Sequence, residues 1–289
     1  MAKHSNKTIL VTGATGKQGG AVLRRLRERR FSVRALTRDP SKPAARELVG
    51  AGTEVVGGDF NDQASLTRAL EGVYGVFSVQ SRGEHSVDPE IRQGINLAET
   101  ARRSNVRYFV YSSVASADQK TGIPFFDSKA RIEEHVRSTG LRYTILRPAF
   151  FMENWLGMRA MIEQGTLALP LSPDTRLQMI AVEDIGSFTA LAFEHPGHWE
   201  GRAVDIAGQE LSMTGLAEAF TRMTGREVRY RQVPWNEFEL QAGRDYMTMY
   251  RWLEEKGFHI DIPALRQENP NMTTFEKWLH SKWLKSSAA

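Results

Sequence analysis

Short apolar runs alternate with longer segments whose apolar side chains return every third or fourth residue. This rhythm holds from residue 8 to about residue 150. The runs predict strands over 8–11, 32–36, 54–56, 75–79, 108–112 and 143–146. The segments between them predict helices over 18–30, 43–50, 63–70, 89–103 and 127–138, with Leu66 one turn from Leu70 and Ile91 in line with Ile95 and Ala98. Strands that are apolar throughout, rather than at alternate positions, are covered on both faces and belong to a parallel sheet. Right-handed crossovers then wind the sheet in two directions and leave ligands at the carboxyl ends of its strands. The expected class is α/β with a doubly wound parallel sheet.

After Pro148 the rhythm breaks. A helix is expected over 150–164, a loop over 165–173, a strand over 178–182, a helix over 183–194 and a last strand over 203–206. From Ser212 onward the pattern is mostly helical and rich in large apolar residues, among them Phe220, Trp235, Phe238, Tyr250, Trp252 and Phe275. The expected division is a domain of residues 1–150, with 178–207 returning to it, and a smaller, mostly helical C-terminal domain of residues 151–289. Trp278 and Trp283 are expected in a core or interface rather than as a ligand platform. The tail, 285–289, is expected to be disordered.

Composition narrows the classes. A chain of 289 residues holds one large α/β unit, or such a unit with a smaller partner. With 41% hydrophobic and 25% charged residues it reads as globular, and no apolar run approaches the roughly 18 residues of a membrane helix. With a strand expected to start near Thr8, no signal or transit peptide is expected ahead of it. There are no cysteines, which excludes disulfides, thiolate metal sites and thiol catalysis and fits a cytoplasmic location. The net charge of +4 does not point to nucleic acid. Its densest cluster, Arg24, Arg25, Arg27, Arg29 and Arg30, shares a helix with Val22, Leu23 and Leu26, so the arginines form that helix's solvated face. His195 and His198 flank Pro196-Gly197 without the partners a metal needs, and no metal is expected.

The chemistry starts at Gly13-Ala14-Thr15-Gly16-Lys17-Gln18-Gly19, directly after the first strand and directly before the first helix. Glycine permits the sharp turn and lets backbone N–H groups approach a phosphate closely. The helix start adds unpaired donors and a partial positive charge. Glycines in this context mark a dinucleotide site. The second strand should end about 20 residues further on, where an acidic residue would bind a ribose 2′-hydroxyl. Here Arg38 stands 19 residues after Gly19 (38 − 19 = 19). A guanidinium grips a 2′-phosphate that a carboxylate would repel, so the expected cofactor is NADP(H). Asp39, followed by Pro40, is expected to cap the next turn rather than face the ribose.

The spacing Gly13-x-x-Gly16-x-x-Gly19 resembles that of short-chain dehydrogenases/reductases. The longer string from Val11 to Gly20 resembles the atypical NmrA-like branch of that superfamily. So do Leu36-Thr37-Arg38, Gly57-Gly58-Asp59-Phe60, Tyr111-Ser112-Ser113, Ser128-Lys129, and Leu146-Arg147-Pro148 with Glu153-Asn154. These markers keep their order through the first half, whereas beyond Ser212 the resemblance is one of general character. It implies a Rossmann-like NADP-binding domain and a C-terminal domain on the substrate or partner side. It also implies that Asp59 and Phe60 contact the adenine, and that Phe151, Met152, Glu153 and Asn154 line the nicotinamide end. Val79 ends the fourth strand and Gln80 and Ser81 lie just past it, and all three fall near the ribose and diphosphate. Ser112 falls near the nicotinamide, with Ser113 beside it, and His85 lies on a loop beyond the fourth strand.

Lys129 is the candidate catalytic residue. In the wider superfamily a tyrosine four positions before a lysine donates the proton for carbonyl reduction, both side chains sharing one helical face. Here that earlier position is Phe125, which has no proton to give. Lys129 is left to hold the nicotinamide ribose or to act as acid/base itself, as the resemblance to isoflavone-type reductases allows; a solvated lysine is the alternative. Two functions follow. One is an NADPH-dependent oxidoreductase acting on a quinone or other small, flat, conjugated substrate, whose product oxyanion is already delocalised. The other is an NADP(H) redox sensor that regulates a protein partner with little or no catalysis.

Overall fold

The computed structural model describes residues 7–81 and 86–284. Its first half runs β1 (Thr8–Val11), α1 (Lys17–Glu28), β2 (Ser32–Thr37), α2 (Pro43–Gly50), β3 (Glu54–Gly57), α3 (Gln63–Ala69), β4 (Gly75–Ser78), α4 (Asp88–Arg103), β5 (Tyr108–Ser112), α5 (Pro124–Ser138) and β6 (Tyr143–Pro148). There follow β7 (Phe150–Phe151), α6 (Arg159–Glu163), β8 (Thr166–Leu169), β9 (Arg176–Ile180), α7 (Val182–Glu194), α8 (Pro196–Trp199), β10 (Ala203–Ile206) and β11 (Gln209–Ser212). The remainder is α9 (Met213–Thr224), β12 (Arg229–Gln232), α10 (Trp235–Ala242), α11 (Arg244–Glu255), α12 (Ile262–Glu268) and α13 (Phe275–Trp278). No helix among the described residues is long and apolar enough to cross a membrane.

The chain divides into two compact units. The first runs through Gln119 and adds Pro124–Arg147 and Ile185–Val204; the second holds Lys120–Ile123, Pro148–Asp184 and the chain from Asp205 on. In the first unit a seven-stranded sheet has the order β10-β6-β5-β4-β1-β2-β3. The paired registers of β1 with β2 and β4, of β2 with β3, and of β5 with β4 and β6 are all parallel. The order reverses at β1, between β2 and β4, so the turn after β1 opens at the topological switch point. Every residue of β4 and β5 is buried, as strands covered on both faces require.

Two close approaches lock helices onto this sheet. A Cβ on Gly75 would lie 2.5 Å from the ring of Phe193 on α7, and that ring packs edge-on to Tyr108 at 5.8 Å. A Cβ on Gly94 of α4 would fall 2.7–2.9 Å from three carbons of Ile132 on α5, so only glycine lets these helices touch. Ile132 belongs to a core of Leu10, Leu66, Leu97, Phe109, Tyr111 and Ile145. Arginines of α1 and its C-cap lie partly in ion pairs, Arg25 with Glu28 at 2.8 Å and the capping Arg29 with Glu194 at 2.9 Å.

The second unit departs from its expected pattern in three places. Residues 150–164 do not form one helix: β7 pairs in parallel with β9 through Phe150↔Met179 and Phe151↔Ile180, and a 3-10 turn over Met152–Met158 precedes α6. The loop expected over 165–173 contains β8, and the region expected to be helical beyond Ser212 contains its partner β12, in register Thr166↔Arg229. The strand expected over 178–182 is β9, which joins β7 and β11 in a three-stranded sheet. These strands gain their stability from partners far along the chain, which a local pattern cannot reveal. Trp278 and Trp283 are buried, in a ring cluster where Phe220 lies 4.9 Å from Trp283 and 5.5 Å from Phe275.

Candidate functional site

The turn after β1 is built for close approach. Gly13 has φ +61°, in the left-handed region that favours glycine, and its carbonyl accepts from Gly16 N at 2.9 Å. A Cβ on Gly19 would fall inside the carbonyl of Gly13 and 2.5 Å from the carbonyl oxygen of Thr12, which presses the start of α1 against the turn. Ala14 is buried beneath the turn, while Thr15, Gly16 and Lys17 are exposed. The α1 N-terminus has no side-chain cap and no acidic residue in its first turn, so its orphan amides and dipole stay directed at an incoming anion.

Neighbouring strand ends complete this rim. Thr12 Oγ1 donates to Val79 O at 3.0 Å and accepts from Val79 N at 2.8 Å, tying the end of β1 to the end of β4. Ser112 Oγ donates to Gln18 Oε1 at 2.7 Å, tying β5 to α1. Gln80 is buried, and its amide nitrogen donates to Ser78 Oγ at 3.0 Å. Gln80 Oε1 and Ser113 Oγ are buried polar atoms without a hydrogen-bond partner among the described residues. Such atoms are costly unless something polar meets them. Ser81 is exposed, and His85 lies outside the described residues. Tyr111 is buried and turned away into the core, where burial, reinforced by the charges of Glu90 and Glu133, pushes its phenol well above its ordinary value.

Arg38 follows directly on β2 and is exposed. It makes no hydrogen bond or ion pair among the described residues. Its acidic neighbour is occupied: Asp39 Oδ1 accepts from Ser41 Oγ at 2.6 Å and from Ser41 N at 2.9 Å, and these bonds hold its carboxyl below the usual range. The expected turn cap is therefore formed. Asp59 makes a similar turn, its Oδ1 accepting from Asn61 N at 2.8 Å and Asn61 Nδ2 at 3.0 Å. Phe60 packs partly against the core, and its carbonyl accepts from Asn96 Nδ2 at 3.1 Å. Among the described residues, a cation without a partner at a strand end, an uncapped helix start and buried unpaired polar atoms fit a dinucleotide with an additional phosphate.

On α5, Lys129 is not a solvated lysine. Its Nζ pairs with Glu90 Oε1 at 2.7 Å, with side-chain exposures of 17% and 1%. Phe125, four residues earlier, packs edge-on to Phe126 at 5.5 Å.

The sequence matches the NmrA-like family over residues 5–279. The chain belongs to the NmrA-like family. Among its relatives, the NAD(P)H azoreductase of Xenophilus azovorans is 33% identical over 224 residues, covering 77% of this chain and 76% of that one. Of solved structures, the NADPH-dependent quinone oxidoreductase of Escherichia coli, complexed with NADPH, superposes with a TM-score of 0.81 at 25% identity, covering 94% of this chain and 98% of that one. NmrA, a negative transcriptional regulator crystallised with NADP, shares the fold with a TM-score of 0.80 at 22% identity, covering 99% and 98%.

In this NmrA-like chain the remaining site candidates belong to the second unit. Phe151 is half-buried and Asn154 is exposed, whereas Met152 and Glu153 are buried. Glu153 accepts from Trp278 Nε1 at 2.9 Å through Oε1 and from Val182 N at 3.1 Å through Oε2. Burial pushes its carboxyl above the ordinary range, against the pull of those donors. Two polar residues at the first unit's site carry no signal in the sequence. Thr12 follows directly on the apolar strand run, and Glu90 meets Lys129 across 39 residues of chain.

Proposed function

We propose that this NmrA-like protein is an NADP(H)-dependent reductase of flat, conjugated acceptors, quinones foremost, working without a catalytic tyrosine. The observation that carries this reading is Arg38: a guanidinium directly after β2 with no hydrogen bond or ion pair among the described residues, beside a carboxylate tied back to Ser41. That arrangement favours a 2′-phosphate over a 2′-hydroxyl. The cofactor supplies a hydride when bound. Around it, Gly13, Ala14, Thr15 and Gly16 with the first-turn amides of Lys17, Gln18 and Gly19 receive the diphosphate. Asp59 and Phe60 border the adenine, and Val79, Gln80 and Ser81 border the ribose and diphosphate. Lys129 holds the nicotinamide ribose, and Ser112 braces the rim through Gln18 while Ser113 offers its hydroxyl. On the second unit Phe151 and Asn154 are candidate acceptor contacts, with Met152 and Glu153 supporting them.

Phe125 decides the acceptor class. With no phenolic proton at that position, a simple ketone would leave a localised alkoxide, which is poorly stabilised. A quinone spreads the charge over its ring and collects its proton from solvent, so the missing hydroxyl matters little. The resemblance to an azoreductase and a quinone oxidoreductase supports this choice. A cysteine-free chain suits the reducing cytoplasm, where we place it.

The test mixes the purified protein with NADPH and a panel of quinones and azo dyes, following absorbance of the reduced nicotinamide. Acceptor-dependent loss of that band is expected. Tight NADPH binding with no turnover of any acceptor would overturn the reductase reading. It would favour the second reading, a regulator whose partner affinity follows cofactor occupancy, which Phe125 also suits.

A further inference from the structure

Glu90 lies in the first turn of α4 with its side chain 1% exposed. A carboxylate at that depth is tolerated only when charge and hydrogen bonds compensate it. Both oxygens are compensated from α5: Oε1 accepts from Lys129 Nζ at 2.7 Å and Oε2 accepts from Ser128 Oγ at 2.7 Å. The contact depends on how closely the two helices approach. Gly94 stands one turn beyond Glu90, and Ile132 stands about one turn beyond Lys129. With no Cβ on Gly94, Ile132 can sit directly on α4, and the pair above it comes within hydrogen-bonding reach.

The consequence falls on the lysine. An ammonium has three donors, and Lys129 spends one on Glu90. Among the described residues it makes no other hydrogen bond, so two donors are left on a head whose position is fixed. A lysine stem is ordinarily flexible, and ordering it on binding weakens affinity. Here that ordering is complete before any ligand arrives.

We propose that Glu90 is a positioning residue for the nicotinamide end of the cofactor. It anchors one N–H of Lys129 so that the other two meet the vicinal hydroxyls of the nicotinamide ribose, doing by placement part of what a tyrosine–lysine pair does by sharing a helix face. The proposal rests on the contact between Lys129 and the cofactor given above, and it does not require turnover.

Calorimetric NADPH titrations without acceptor test it, using the wild type, Glu90→Gln, Lys129→Met and the double variant. Glutamine keeps an acceptor for Lys129 and a donor for Ser128 Oγ while removing the charge, and thermal melting verifies that each variant is folded. Loss of a charge-assisted bond predicts about tenfold weaker NADPH binding for Lys129→Met and a smaller loss for Glu90→Gln. The double variant should bind no worse than Lys129→Met within about twofold, because Glu90 acts only through the lysine. Losses that multiply would overturn the proposal, as would Glu90→Gln binding like wild type. If Glu90→Gln does not fold, Ser128→Ala, which frees one carboxylate oxygen, replaces it under the same criteria. A wild type that binds NADPH but reduces no quinone would overturn the reductase reading and leave this one standing. Unchanged binding by Lys129→Met would overturn this one alone.

Discussion

Replacing Arg38 by alanine separates the two coenzymes. Because Arg38 makes no hydrogen bond or ion pair among the described residues, removing it costs the fold nothing measurable, and the melting temperature should stay at the wild-type value. What is lost is a charge-assisted contact to the 2′-phosphate, about 1.5–3 kcal/mol. At about 1.4 kcal/mol per factor of ten, NADPH affinity should fall roughly 10- to 150-fold while NADH affinity barely moves. The site is exposed, so added salt should shrink the wild-type preference and leave the variant's ratio nearly flat. Asp39, held in its turn by Ser41 and ionised there, should contribute little to this difference. Calorimetric titration of both coenzymes into both proteins, at low and high salt, reads all of this. Equal losses for NADPH and NADH would refute the assignment of Arg38.

Gly19→Ala should abolish NADPH binding and lower unfolding stability by about 1–3 kcal/mol in a denaturant titration, because the added methyl meets backbone that cannot yield; wild-type stability would contradict the close approach. Glu133→Gln should cost about 3–5 kcal/mol by the same assay. It weakens a buried bidentate pair in which Arg147 Nε and Nη2 meet the two carboxylate oxygens at 2.8 and 2.6 Å. Glu153, with its carboxyl raised by burial, retains its proton in the folded chain over a pH range where the unfolded chain has released it. Its contribution to stability is therefore fully present below the unfolded carboxylate range and is lost as pH rises through the raised value. Glu153→Gln should flatten that portion of the pH–stability curve, and a wild-type–variant difference independent of pH would refute the sign.

The parallel sheet was legible because its central strands are apolar at successive positions, as in Tyr108–Tyr111, and because glycine chemistry announces the turn after β1. Distance along the chain hid the rest. β8 and β12 are four residues each and pair across more than sixty positions, so neither carries a local signature. Phe150–Phe151 has the apolar content of a helix start, and only its pairing with β9 makes it a strand. At the site, Arg38 could be counted from Gly19, and Phe125 from Lys129. Glu90 could not be read, because an acid in the first turn of a helix usually serves the helix dipole. Here it is the distant α5 that claims the side chain.

Phe193 bears on how the protein is made. The ring that fills the hollow over Gly75 and Tyr108 lies in a segment translated long after β1 to β6 have left the ribosome. Until it emerges, an aromatic-lined face of the sheet stays open to water, at a cost of about 1.5–3 kcal/mol for that side chain alone. A fragment cut after β6 would therefore leave that hollow over Gly75 and Tyr108 open rather than yield a free-standing cofactor binder.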